Sequence, residues 1–141
     1  MALASVMFFA LIFGIFDFGH AFYCESTLKY AVSQAARFGT TGSTLPDEAN
    51  PGTELSREDS ILTVIQNLTG FPDIDASDIT LSAITRGGSA VAGAGGPGDV
   101  VTVRAQYGVP MISPYLSRFF ADGVYRFEVR TTFKNEEFPQ A

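Results

Sequence analysis

MALASVMFFALIFGIFDFGHAFYCESTLKYAVSQAARF, residues Met1 to Phe38, reads as one uninterrupted helix, and the fold follows from what its two halves require. From Met1 to Phe16 there is no charge, and on to Cys24 the ionisable side chains, apart from the Tyr23 phenol, are Asp17, His20 and Cys24 itself. At a rise of about 1.5 Å per residue, roughly 20 residues cross the hydrocarbon core of a bilayer. Met1 to about Tyr23 therefore spans, provided that Asp17 and His20 are paired or near an interface. Past Cys24 the pattern becomes Leu28, Ala31, Val32, Ala35 and Phe38, an i, i+3, i+4, i+7 stripe with no Gly or Pro before Gly39. The helix outruns a bilayer, and its second half needs something to cover.

The remaining composition bounds what that cover is. A chain of 141 residues, 46% hydrophobic, with mean hydropathy +0.18, holds one head of about a hundred residues plus an anchor. The division expected is an apolar half over 1–24 and a globular head over 25–141. The formal charge of −6 lies in the head, because all nine Lys and Arg and fourteen of the fifteen Asp and Glu follow Cys24. An acidic chain without a basic stripe is a poor nucleic-acid binder, since phosphate contacts need clustered Lys and Arg. Cys24 is alone, so no internal disulfide forms. The N-terminal run lacks a basic start and a turn-forming cleavage site, so it reads as an anchor rather than a cleaved signal. A basic leader already removed ahead of Met1 is the further alternative.

Residues 39–53 carry Gly39, Gly42, Pro46, Pro51 and Gly52 without apolar periodicity and read as a loop. Ser56, three residues before Asp59 and just ahead of Ile61, Leu62, Val64, Ile65 and Leu68, gives a capped helix over 57–68 that Gly70 and Pro72 end. Asn67-Leu68-Thr69 matches a glycosylation sequon, which chance also supplies near a helix end. Strands are expected at 79–86, 100–109 and 124–134; in the last, Tyr125, Phe127, Val129, Thr131 and Phe133 alternate with Arg126, Glu128, Arg130, Thr132 and Lys134. Residues 87–98 are nearly all Gly, Ala, Ser and Pro and read as a flexible loop unable to bury a core. Ser113-Pro114 starts a short helix over 114–121 that Gly123 ends.

These elements assemble into an α+β fold shaped like a lollipop. A three-stranded antiparallel sheet with one apolar face packs on the helix stripe through Leu28, Val32, Ala35 and Phe38, and the second helix closes a flank. The other half of the long helix is a bare stalk. Ala2, Ala4, Ser5, Ala10, Gly14, Gly19 and Ala21 are small residues among large ones, a composition that lets helices approach closely. Such a stalk either sits in lipid or packs against copies of itself, and physical chemistry alone leaves both open.

One stretch carries a resemblance. Phe13-Gly14-Ile15-Phe16-Asp17-Phe18-Gly19-His20-Ala21-Phe22-Tyr23, followed by Ala31-Val32-Ser33-Gln34-Ala35-Ala36-Arg37-Phe38-Gly39, resembles TadE-like proteins, the pilin-like subunits of tight-adherence pili. The match covers about the first forty residues; the head resembles the family only in layout. His20 stands where the family usually has Arg or Lys. The glutamate near the start of the mature helix in type IV pilins would fall just before Met1. The resemblance implies a structural subunit of a type IV-like pilus, a fimbrium used for cell adhesion. It would be inserted in the inner membrane, matured by a prepilin peptidase, and passed by an assembly platform into a homopolymeric, extracellular filament with other pilus subunits. In that setting Ala10, Gly14, Asp17, Gly19 and His20 are the expected helix-packing positions. Asp17 must find a partner, either His20 of the same helix or a neighbour's N-terminal amine or His20, or else mark the membrane boundary. Polymerisation predicts that Gly14→Leu abolishes filaments. The alternative, a single-pass anchored accessory or binding domain that does not polymerise, predicts little effect.

Chemistry is sparsely represented. Asp17, His20 and Cys24 share a helix face, but zinc usually takes four ligands and the chain has one His and one Cys. No Ser-His-Asp set can be built on a lone stalk histidine, residues 87–98 lack the Lys of a phosphate loop, and Asp73, Asp75 and Asp78 read as turn carboxylates. No enzyme activity, cofactor or metal is expected.

Overall fold

The computed structural model describes residues 2–71 and 74–138, with side chains from Ala4 onward. Met1, Pro72, Asp73, the last three residues of the head and the side chain of Ala2, all part of the sequence reading, lie outside the described residues. The long helix α1 runs Ala2–Thr40 without a break. A second helix, α2 (Arg57–Thr69), is followed by strand β1 (Ile79–Ile84), a short β2 (Ala90–Ala92), β3 (Val100–Pro110), a single helical turn α3 (Pro114–Ser117) and β4 (Val124–Lys134). The four strands form one antiparallel sheet in the order β2-β1-β3-β4. The fold is α+β, with one strand more than expected.

Register follows from alternation. Leu81 pairs with Val103, Ala105 with Val129, Val101 with Phe133 and Tyr107 with Phe127, which puts one set of side chains on a single face. That face meets α1. Leu28, Ala31, Val32 and Ala35 are fully buried against Ile61 and Ile65 of α2 and Val103 and Ala105 of β3, with Phe38 partly buried at the edge. Full burial of a Leu or Ile side chain contributes about 1.5–3 kcal/mol, so this seam is the main source of head stability. The opposite face is polar, with Thr102 and Thr132 hydroxyls 3.1 Å apart and Gln106 donating to Glu128 over 3.1 Å.

The local signals behave as their chemistry requires. Ser56 Oγ accepts from Asp59 N at 3.0 Å and donates to its carboxylate at 2.6 Å, which caps α2 at its start. Gly70 closes it in the left-handed conformation, φ 60°. Ser113 caps α3, with Pro114 in its first turn.

Two elements end well short of expectation, and one strand is added. The strand expected over 79–86 stops at Ile84, because the chain reverses at once: Thr85 N donates to Ser89 O at 2.9 Å and Gly88 N to Thr85 O at 2.8 Å. That reversal creates β2, whose three residues are all exposed and so leave no alternation to read. The helix expected over 114–121 ends at Ser117, because Met111 N must meet Gly123 O, at 2.9 Å, for β4 to start opposite β3.

The Gly-rich segment also departs from its expected flexibility. Gly93, Ala94, Gly98 and Asp99 are buried. Arg57 donates to Gly95 O at 2.7 Å, and Asn135 Nδ2 donates to Ala94 O at 3.1 Å and Gly96 O at 2.7 Å. Those side chains satisfy carbonyls that a Gly-rich chain could not otherwise bury. Gly95 itself has φ +61°, and a Cβ there would lie 2.7 Å from that of Ala83. The same guanidinium donates to Gly39 O at 2.9 Å and to Asn135 Oδ1 at 2.7 Å, so it closes the C-terminal end of α1 as well.

Candidate functional site

No group of three or more His, Cys, Asp or Glu side chains among the described residues is placed to hold a metal ion. The feature that calls for a function is the long helix itself. Its buried positions, Asp17, Ala21, Cys24, Leu28, Ala31, Val32, Ala35, Ala36 and Gly39, follow the three-to-four-residue period of one face. From Ala4 to Phe16 no residue is buried, and Met7, Phe8, Leu11, Ile15 and Phe16 stand exposed. This is the candidate functional surface: a bare apolar helix, long and apolar enough by composition to cross a membrane.

The head reaches farther along α1 than the expected division at residue 24. Ala21 and Cys24 pack with Val109 and Met111 in a second apolar cluster, joined by Phe71, Tyr107, Phe120 and Tyr125 at its margin. Beyond it stands Asp17, 2% exposed. Its Oδ1 accepts from Ile112 N at 2.9 Å and its Oδ2 from Ser113 N at 3.0 Å. The carboxylate thus holds the turn that joins β3 to α3. Two backbone amides satisfy a buried carboxylate without a cation, and hydrogen bonds to a charged group are the stronger kind. A buried carboxylate left unpaired would cost several kcal/mol.

The other expected packing positions separate into two groups. Ala10 and Gly14 continue the covered stripe and are half-exposed, and a Cβ on Gly14 would lie 3.9 Å from Leu116 Cδ1 of the chain's own α3. Gly19 and His20 lie on the uncovered side; a Cβ on Gly19 would meet nothing within 4 Å. His20 points along the helix toward Cys24, with Nε2 3.6 Å from Sγ, rather than back to Asp17. Sequence reasoning sought a charged partner for Asp17 and overlooked the turn at 111–113. The missed signal is positional, since Asp17 lies on the same stripe as Ala21, Cys24 and Leu28.

A shallow depression of about 390 Å³ opens beside the sheet, lined by residues that include Asp78, Gln106, Tyr107, Arg126 and Glu128. With both charge signs in an open depression, it offers no convergent catalytic set.

Comparison with known proteins bears on the helix. Residues 1–37 match the family model described as TadE-like protein, a segment that ends inside the covered half of α1. The chain matches no curated protein and no solved structure.

Proposed function

We propose that this chain is a structural subunit of a tight-adherence pilus, anchored in the inner membrane by the bare half of α1 and then assembled through that helix into an extracellular filament. The observation that carries the reading is an uninterrupted helix with an uncovered apolar half, in the segment that matches the TadE-like family model. An apolar helix surface satisfies its own backbone, so the same residues serve in lipid and then against neighbouring helices. Small residues on the uncovered side permit close approach, and Gly19 is the clearest of them. The partners implied are copies of this chain and other pilus subunits, with a prepilin peptidase and an assembly platform acting on them.

Gly19→Leu is the substitution that tests assembly. Gly14→Leu would press on the chain's own α3, whereas a side chain at Gly19 meets nothing within the subunit. The expected result is a variant that inserts and folds normally but yields no filaments in material sheared from cells without detergent. Wild-type filament yield from Gly19→Leu would remove this contact from the assembly. A chain of either type found only in the membrane fraction, as a detergent-soluble monomer, would favour a non-polymerising anchored domain. One observation already supports that second reading: Asp17 is satisfied within the subunit and needs no partner from a neighbour.

A further inference from the structure

The turn that Asp17 holds is apolar where it faces outward. Ile112, Tyr115 and Phe119 are 69%, 63% and 71% exposed, and the Tyr115 and Phe119 rings meet edge to face with centroids 5.7 Å apart. We propose that this tip of the head, residues 112–119, inserts into the headgroup region of the lipid bilayer beside the span, so that the anchored subunit meets the membrane through two elements. This rests on the reading of α1 as a membrane anchor.

Position along α1 makes the first argument. The tip is fixed at the level of Asp17 by the two amide bonds, with Leu116 lying beside Gly14. The uncovered side of α1 stays largely apolar past that level, through Phe18, Phe22 and the ring of Tyr23, with the His20 imidazole and the Tyr23 hydroxyl its polar groups. The first formal charges outside are Glu25 and Lys29, which pair with each other at 2.6 Å. From Asp17 to Tyr23 the helix rises by about 9 Å. A bilayer that covers the apolar surface to Tyr23 therefore takes in the tip by about the same depth, the 5–10 Å at which interfacial segments lie.

Backbone chemistry makes the second. A segment enters a poorly hydrated region at lower cost the more of its backbone N–H groups are already satisfied. Met111 N donates to Gly123 O, Ile112 N and Ser113 N to Asp17, Leu116 N to Ser113 Oγ, Ser117 N to Ser113 O, and Phe119 N to Leu116 O. Pro114 has no N–H to satisfy. Charge makes the third. In a chain of net charge −6, residues 100–121 contain no Asp or Glu, and the charge within the tip is Arg118, which suits an anionic lipid surface. Tyr115 is the residue type enriched at such boundaries.

The chain has no Trp, so single reporters can be introduced. Tyr115→Trp, Phe9→Trp in mid-stalk and Ile84→Trp at the far end of the sheet would each be made in the full chain. Each is then reconstituted into vesicles of phosphatidylethanolamine and phosphatidylglycerol carrying brominated acyl chains. The expected result is blue-shifted, bromine-quenched emission from the Tyr115→Trp and Phe9→Trp chains, and unquenched emission from Ile84→Trp. Quenching of Phe9→Trp alone would overturn the tip contact while leaving the anchor intact. Absence of quenching in all three would overturn the anchor with it. Emission of Tyr115→Trp that becomes buried only in assembled filaments would assign this surface to a neighbouring subunit instead, and would also overturn the lipid contact.

Discussion

Asp17→Asn tests the junction most directly, because it changes one atom of a buried group that accepts two backbone N–H bonds. In the wild type the two carboxylate oxygens divide the work, Oδ1 toward Ile112 N and Oδ2 toward Ser113 N. A carboxamide keeps one acceptor and turns an NH₂ toward the other N–H, so one bond is lost and two donors are opposed. Hydrogen bonds to charged groups contribute about 1.5–3 kcal/mol each, and an unsatisfied buried donor costs about 1–3 kcal/mol. A loss of about 2–3 kcal/mol at the junction is expected, a large share of the stability of a typical domain. Because the turn opens locally before the sheet unfolds, the amides report it first. Hydrogen exchange at Ile112 and Ser113, measured by NMR in detergent micelles, should speed up by roughly thirtyfold or more, as about 1.4 kcal/mol corresponds to tenfold. Amides in the centre of β3, such as Val103, should change less. Wild-type exchange at Ile112 and Ser113 in Asp17→Asn would refute the latch, whatever the variant did to filaments.

Three further outcomes are expected. Gly39→Ala should destabilise the head by about 1 kcal/mol in urea unfolding despite the better helix propensity of Ala, because the new Cβ would lie 2.9 Å from Ile61 Cδ1 and 3.1 Å from Phe133 Cζ; adding Ile61→Val should recover part of the loss, and a stabilised single variant would contradict the packing. Arg57 is held by three acceptors, with its ring contact to Phe138 at 4.6 Å, and burial lowers its pKa although Asp99 acts the other way. Arg57→Lys cannot reproduce that fork and should cost about 2–3 kcal/mol, read as a lower urea midpoint; an unchanged midpoint would show that the knot does not hold the loop. Asp47 accepts from Asn50 Nδ2 at 2.7 Å and Ala49 N at 2.9 Å, which holds its carboxyl below the usual carboxylate range. A depressed folded-state pKa means that its small contribution is present at neutral pH and disappears as pH falls through that value, and Asn50→Ala should move its NMR-detected titration upward.

What the sequence disclosed depended on period. The stripe through Leu28, Val32 and Ala35 and the alternation of β3 and β4 repeat often enough to be read, and each has its expected partner. Ser56, Gly70 and Ser113-Pro114 mark ends whose chemistry is local, so they too were legible. The short β2 was not, because three exposed residues carry no period. The order in the Gly-rich segment was hidden for another reason. Its carbonyls are satisfied by Arg57 and Asn135, which lie 38 and 41 positions from the residues they hold. The same applies to Asp17, whose amide partners are 95 and 96 positions away. A lone carboxylate in an apolar run announces that it needs a partner; it does not say that the partner is backbone.

The junction between residues 14 and 24 is where the two halves of α1 overlap, and that overlap constrains how any assembly must proceed. Over these turns one face of the helix belongs to the head, through Asp17, Ala21 and Cys24, while the other face, with Phe18, Gly19, Phe22 and Tyr23, remains uncovered. A neighbour or a lipid can replace the other on the uncovered face with little disturbance to the buried one, because side chains on opposite faces of a helix point apart and the contact that bridges them here is that of His20 with Cys24. A subunit leaving a bilayer for a filament would therefore exchange surroundings around a fixed head, with Asp17 kept on its two amides throughout. That predicts an asymmetry between paired substitutions. Ala21→Leu should overpack the cluster of Cys24, Val109 and Met111 and weaken the head in unfolding experiments, by about 1–3 kcal/mol, before any filament forms. Phe22→Ala, one residue on and on the other face, should leave the head's unfolding midpoint unchanged and affect only what the helix touches outside. Equal losses of head stability in the two variants would mean that the faces are coupled, and that the head cannot stay rigid while the surroundings of the helix change.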